Sequence, residues 1–270
     1  MAGGSAASLA QAKLEASRRL AKAAGQAGRI GSELFALTDA LDADPALARA
    51  LTNPNRQAAA KRQLVHRSMA GHFEPAVELA AWAATLRWSR DGDLADALEL
   101  MAFDAKLAEA EAARALRQVE AELFDVDVVL RNNRDLRTAL GDVVAEPAAR
   151  LRLAERVFAP AIRPETMELV RRVVGHPRGR GIRHCLRFIG DLVAARRGRL
   201  VVAVTSAQKL SDRQTDQLAR ILAAEYGREV QLNVTIDHSV IGGARVRVGD
   251  EVVDGSLLTR FSALRRDLAA

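Results

Sequence analysis

The chain has 270 residues, 49% of them hydrophobic but only 4% aromatic, so its core must come mainly from Ala, Leu and Val, which favours closely approaching helices. The net charge of +6 is almost wholly arginine, since lysine occurs only at 13, 22, 61, 106 and 209; it suits an acidic protein surface or an anionic membrane as well as nucleic acid. The single cysteine, Cys185, excludes an internal disulfide and points to a reducing compartment, and no apolar run is long enough to span a membrane.

The first 20 residues are rich in Ala, Ser and Arg, a faint likeness to a transit peptide, but the plainer reading is the start of a helix. Residues 8–26 are predicted as that helix. Ile30, Leu34, Leu37 and Leu41, spaced 4, 3 and 4, make a second. Asp44-Pro45 supplies an N-cap and an N1 proline for a short third helix carrying Leu47 and Leu51. Asn53-Pro54-Asn55 breaks it. Residues 56–70 follow with Leu64, Val65 and Met69 on the apolar side, and Glu74-Pro75 opens a fifth helix through Leu79, Trp82 and Leu86. Asp93 to Leu140 contains neither Gly nor Pro; one long helix to about 117 and then a break are expected.

Shifted by 89 positions, the chain resembles itself. Glu33-Leu34-Phe35 falls on Glu122-Leu123-Phe124, Leu41 on Leu130, Leu47 on Leu136 and Ala50-Leu51 on Ala139-Leu140. Leu64 meets Leu153, Arg67 meets Arg156 and Pro75 meets Pro164; the register then drifts by one, so that Glu78-Leu79 meets Glu168-Leu169. This predicts a duplicated helical module, with domains at 1–103, 104–197 and 198–270. Second-copy helices are expected near 104–131, 134–141, 147–158, 165–174 and 182–197.

The tail changes period. Val201, Val202 and Val204 form a short β-branched run. Ser211 and Gln214 make a capping box for a helix with Leu218, Ile221, Leu222 and Tyr226 on one face, stopped by Gly227. Val230, Leu232, Val234 and Ile236 alternate with polar residues, as in a strand with one buried face. Gly242-Gly243 permits a turn or bulge, Ala244, Val246 and Val248 form a further strand, and Gly249-Asp250 turns the chain into a short hairpin partner, 251–253. Asp254 or Ser256 caps a last helix whose stripe is Leu257, Leu258, Phe261, Leu264 and Leu268. The predicted fold class is therefore mainly α with a small α+β C-terminal domain: a duplicated helical bundle, then a strand–helix–strand–hairpin–helix unit.

Ile241, Gly242, Gly243, Val246, Val248, Gly249, Asp250, Val252, Asp254, Gly255 and Ser256 stand in the order of a family signature. With the flanking helices, they resemble the C-terminal motif of the delta subunit (OSCP) family of F-type ATP synthase. That resemblance implies a non-catalytic stator, or peripheral-stalk, subunit that resists rotor torque and needs no cofactor. It implies docking of alpha-subunit N-terminal helices from the catalytic hexamer between first and fifth helices, with Leu14, Leu20, Leu79 and Trp82 as groove candidates, or the matching faces of the second copy. The exposed side of Leu257, Phe261, Leu264 and Leu268 becomes the candidate contact for the b or b-delta stalk. The setting implied is the cytoplasmic face of the bacterial plasma membrane, reached only through the stalk. The family has one six-helix bundle; the extra module resembles the extended actinobacterial form, unfused to b.

Other chemistry is weak. His66, His72, His176, His184 and His238 lack metal spacing among themselves. His184 and Cys185, adjacent in sequence, point to different helix faces. The glycines form neither a dinucleotide fingerprint nor a P-loop. Asp250, Glu251 and Asp254 read as turn and cap residues. Arg171, Arg172, Arg178, Arg180, Arg183, Arg187, Arg196, Arg197 and Arg199 crowd one region. Nucleic-acid binding is the alternative function there, but few aromatics are interleaved for stacking, and a solvated face or an acidic protein partner is preferred.

Overall fold

A computed structural model describes residues 3–23, 25–198, 200–206, 208, 210–226, 230–236, 244–248 and 251–252. Contacts divide the chain into two compact units, 1–190 and 191–270.

The first unit is helical: α1 (Gly3–Lys22), α2 (Ala27–Ala43), α3 (Pro45–Thr52), α4 (Ala58–Ser68), α5 (Glu74–Ala84), α6 (Asp91–Ala112), α7 (Leu116–Asn132), α8 (Arg134–Gly141), α9 (Pro147–Phe158), α10 (Pro164–Gly175) and α11 (Ile182–Arg196), the last running across the division. Local chemistry sets the ends. Asp44 caps α3 by accepting from the backbone of Ala46 and Leu47, with Pro45 at N1. The long helix expected through the low 90s stops at Ala112, and Arg114 takes φ 55° before α7 begins.

The internal repeat is visible in the helices. α2, α3 and α4 begin at 27, 45 and 58; α7, α8 and α9 begin at 116, 134 and 147, an offset of 89 each time. α5 and α10 are offset by 90, matching the drift in sequence, and α11 answers to α6. Equivalent leucines are equally buried: Leu34 and Leu123, Leu41 and Leu130, Leu51 and Leu140.

The expected boundary at 103/104 lies inside a helix. Moved by 89, α1 falls on 92–111, which is α6. One helix is thus the sixth of the first module and the first of the second. Its burial fits that double duty: Leu94, Leu98, Met101, Phe103 and Leu107 are all at most 2% exposed and lie around much of its circumference. A helix apolar on one stripe only could not be covered from both sides. α2 packs along α6 through Gly31, where an added Cβ would stand 2.9 Å from the carbonyl oxygen of Ala102. At the N-terminal end of α6, fully buried Asp93 accepts from Ser5 Oγ at 2.6 Å and from the Arg90 backbone at 3.1 Å.

The second unit holds β1 (Leu200–Ser206), α12 (Asp212–Tyr226), β2 (Val230–Ile236), β3 (Ala244–Val248) and β4 (Glu251–Val252) in a sheet of order β2-β1-β3-β4. β1 pairs parallel with β2, Val202 opposite Leu232, and antiparallel with β3, Val204 opposite Val246. Joining parallel strands needs a crossover, and α12 supplies it. The capping box at Ser211 and Gln214 forms in both directions, at 3.3 and 2.9 Å. Val202, Val204, Leu218, Leu222 and Val246 make the core, with Val230, Leu232 and Val234 packed against it. Ile236, expected on the same buried face, ends the edge strand β2 and is 48% exposed. The sheet also extends one step beyond the sequence reading, since β1 sits between β2 and β3.

Candidate functional site

The surfaces that can receive partners follow from how the two modules meet. On α2, Gly28, Ser32, Phe35, Asp39 and Asp42 recur at 4, 3, 4 and 3 residues and form one stripe. Residues of the second module cover it. The Phe35 ring meets Phe103 of α6 edge-on at 5.0 Å, and Phe103 meets Phe188 of α11 at 6.4 Å. The Arg172 guanidinium of α10 lies 4.3 Å above Phe35 and donates to both Asp39 oxygens, at 2.7 and 2.9 Å.

The α10–α11 loop extends the grip. Arg178 donates to Asp42 at 2.6 and 3.1 Å and to Glu99 at 3.0 Å, and stands 3.0 Å from Asp96. Arg180 donates to the same Glu99 oxygen. Arg178 sits at φ 49°, a region that side-chain-bearing residues seldom occupy. Its three carboxylate partners hold it there. Burial works against the Arg178 charge, but the Asp42 hydrogen bonds and the fields of Glu99 and Asp96 outweigh it and raise its pKa. Burial likewise pushes the Asp39 carboxyl up, and His176 and Arg172 more than reverse this, leaving it lowered.

Five of the nine arginines in the basic stretch are therefore engaged within the chain. Arg171 pairs with Glu155, Arg172 with Asp39, Arg178 with Asp42, Arg180 with Glu99 and Arg183 with Asp127. The preferred acidic partner turns out, for Arg172, Arg178 and Arg180, to be the chain's own first module. Sequence alone carried a signal for this: an acidic α2–α6 set in one copy and an arginine-rich turn in the other.

The groove candidates fare differently from one another. Leu20 and Leu79 are core residues, 6% and 1% exposed. Leu14 is 54% exposed and Trp82 half-buried. Their counterparts in the second module are Phe103 and Arg172, both buried against α2. The first-and-fifth-helix face is thus open at Leu14 in module one and filled by α2 in module two. The signature residues Gly242, Gly243, Gly249, Asp250, Asp254, Gly255 and Ser256, and the stalk candidates Leu257, Phe261, Leu264 and Leu268, lie outside the described residues.

For metal, the structure brings together a set that the histidine spacings did not reveal: His66, Glu74 and Glu78 offer ligand atoms within 4.8 Å of one another. One half-buried imidazole and two exposed carboxylates fall short of a closed structural site. Cys185 is buried, and burial pushes its thiol pKa up, away from reactive thiolate. No helix among the described residues is long and apolar enough to cross a membrane.

Comparison with known proteins gives the lineage. The family described as ATP synthase delta (OSCP) subunit matches residues 104–268, from within α6 to the tail. A protein of Kineococcus radiotolerans named ATP synthase subunit delta is 40% identical over 99% of this chain and 98% of its own. The Beutenbergia cavernae protein of that name is 42% identical, covering 93% of each, and the Acidothermus cellulolyticus one 38%, covering 100% of each. A chain of the Toxoplasma gondii mitochondrial ATP synthase hexamer superposes with a TM-score of 0.43 at 18% identity, over 62% of this chain and 95% of that one, too loosely to argue fold from. The span of the family match places the extra module at the N-terminus, and the full-length relatives share it. By these similarities the chain belongs to the ATP synthase delta (OSCP) subunit family, with that family's role in the peripheral stalk.

Proposed function

We propose that this subunit is a non-catalytic strut that ties the alpha-subunit N-termini of the catalytic head to the b stalk and keeps the head from turning with the rotor. The head contact lies on module one, in the groove between α1 and α5. The observation that carries this is the contrast at one repeat position: Leu14 is 54% exposed, whereas its counterpart Phe103 is 2% exposed beneath α2. An amphipathic helix from the head finds an apolar anchor at Leu14 and Trp82, and module two serves as the buttress behind them. The C-terminal unit holds the b stalk through Leu257, Phe261, Leu264 and Leu268. The work is done at the cytoplasmic face of the bacterial plasma membrane, with the lipid reached only through partners.

The test is a pull-down with purified catalytic head and b stalk. Leu14→Asp in the full chain should weaken head binding by about tenfold or more, as expected for an interface anchor, and leave b binding intact. Removal of 201–270 should do the reverse. Unchanged head binding by the Leu14 variant would move the groove elsewhere. The nucleic-acid reading is disfavoured, because five of its nine arginines are engaged with carboxylates of this chain.

A further inference from the structure

We propose that a stripe on α7 — Arg117, Ala121, Phe124, Val128 and Arg131 — docks an acidic amphipathic helix of a partner subunit. These five residues are the repeat counterparts of Gly28, Ser32, Phe35, Asp39 and Asp42 on α2, the stripe that module two grips. The fold thus contains one occupied example of the surface and one open example.

The two differ in cover and in charge. Phe35 is 9% exposed; Phe124 is 56% exposed, a large aromatic standing in solvent on an otherwise well-packed helix. Val128 beside it is half-buried, and Arg117, Ala121 and Arg131 are exposed. On α2 the stripe ends in Asp39 and Asp42, and its partner supplies Arg172 and Arg178. On α7 the same places hold Val128 and Arg131, and the far end changes from Gly28 to Arg117. Among the described residues neither Arg117 nor Arg131 has an ion-pair partner. Of the acids beside the stripe, Asp127 is turned to Arg183, at 2.7 Å, and exposed Asp125 flanks its middle next to Ala121 and Val128, leaving both ends cationic. The charge pattern is reversed, so the complementary partner is reversed too: apolar side chains in the middle and carboxylates towards both ends.

Charge also decides among occupants. The segment 257–270 of this chain carries Arg260, Arg265 and Arg266 against one acid, Asp267, and would set like charge on like. A second copy would have to offer its acidic α2 stripe, which Arg172 and Arg178 already hold. A separate subunit with an acidic amphipathic helix fits both conditions. The inference stands whether or not the head docks at Leu14.

The experiment uses the full chain and two helical probe peptides about three heptads long, with the same leucine seam. One has Glu at both ends of the seam, the other Lys. The Glu peptide should bind and slow amide exchange in α7. Phe124→Ser should weaken binding by about tenfold, as for a central anchor. The double substitution Arg117→Glu with Arg131→Glu should switch preference to the Lys peptide. All three side chains are exposed, so unchanged circular dichroism checks the fold. No binding of the Glu peptide, equal binding of both peptides, or protection that spares α7 would each overturn the proposal. Retention of the Glu preference by the double variant would overturn it too.

Discussion

Phe35 and Phe124 belong to the same Glu-Leu-Phe triplet, on the same face of equivalent helices, yet one is sealed and the other stands in water. The leucines before them are both buried, so the bundles agree inside. The copies differ on their outsides, where module two covers module one and the matching face of module two is uncovered among the described residues. A tandem duplication built head to tail leaves one such face over at its end. In the first copy that face became acidic and is closed by arginines; in the second it became basic and stays open.

The largest effect should come from the clamp between the copies. Glu99→Ala removes the acceptor shared by Arg178 and Arg180, which also lies 3.7 Å from buried Arg172, and leaves Arg178 with Asp42 and Asp96 alone, an expected loss of about 3 kcal/mol in urea unfolding. Phe35→Ala should cost about 3 kcal/mol by emptying a packed site, while Phe124→Ala should stay within about 0.5 kcal/mol. Equal costs for the two phenylalanines would break the comparison outright. Ser5→Ala strips fully buried Asp93 of one hydrogen bond and should cost about 1–2 kcal/mol.

Acid should loosen the clamp at Asp39 and, separately, the contact of Asp93 with α1. Burial raises the pKa of Asp39 and of Asp93, but hydrogen bonds from His176 and Arg172, and from Ser5 and Arg90, more than offset it, so both lie below their ordinary 3.8. A carboxyl whose folded pKa is depressed stabilises the fold at pH values above its unfolded pKa. That contribution is lost as pH falls through the folded value. The thermal midpoint should therefore hold from neutral pH down to about pH 5 and drop below about pH 4. Asp39→Asn should be less stable at neutral pH and lose less on acidification; an identical acid profile would remove Asp39 from the account.

Much of this was legible in the sequence. Proline and Asp44 announced helix starts, the 89-residue repeat announced the modules, and period-two valines announced the sheet. What stayed hidden depended on pairings distant in the chain. Asp39 and Arg172 are 133 positions apart, and no local pattern links them. Leu20 lies in register with buried Ser5, Ser8, Ala12 and Ala16 while Leu14 falls off that stripe, but a stripe made of serines and alanines gives the sequence little hydrophobic contrast to show it. The shared helix leaves no break near 103, and the run from Asp93 without glycine or proline is the trace of that continuity in the sequence.

That shared helix has a mechanical consequence. At 1.5 Å per residue, the 22 residues of α6 make a rod about 33 Å long that belongs to both bundles at once. Two bodies joined by a loop can swivel; two bodies grown around a common rod cannot. A twisting load entering the first bundle reaches the second with no joint in between to absorb it.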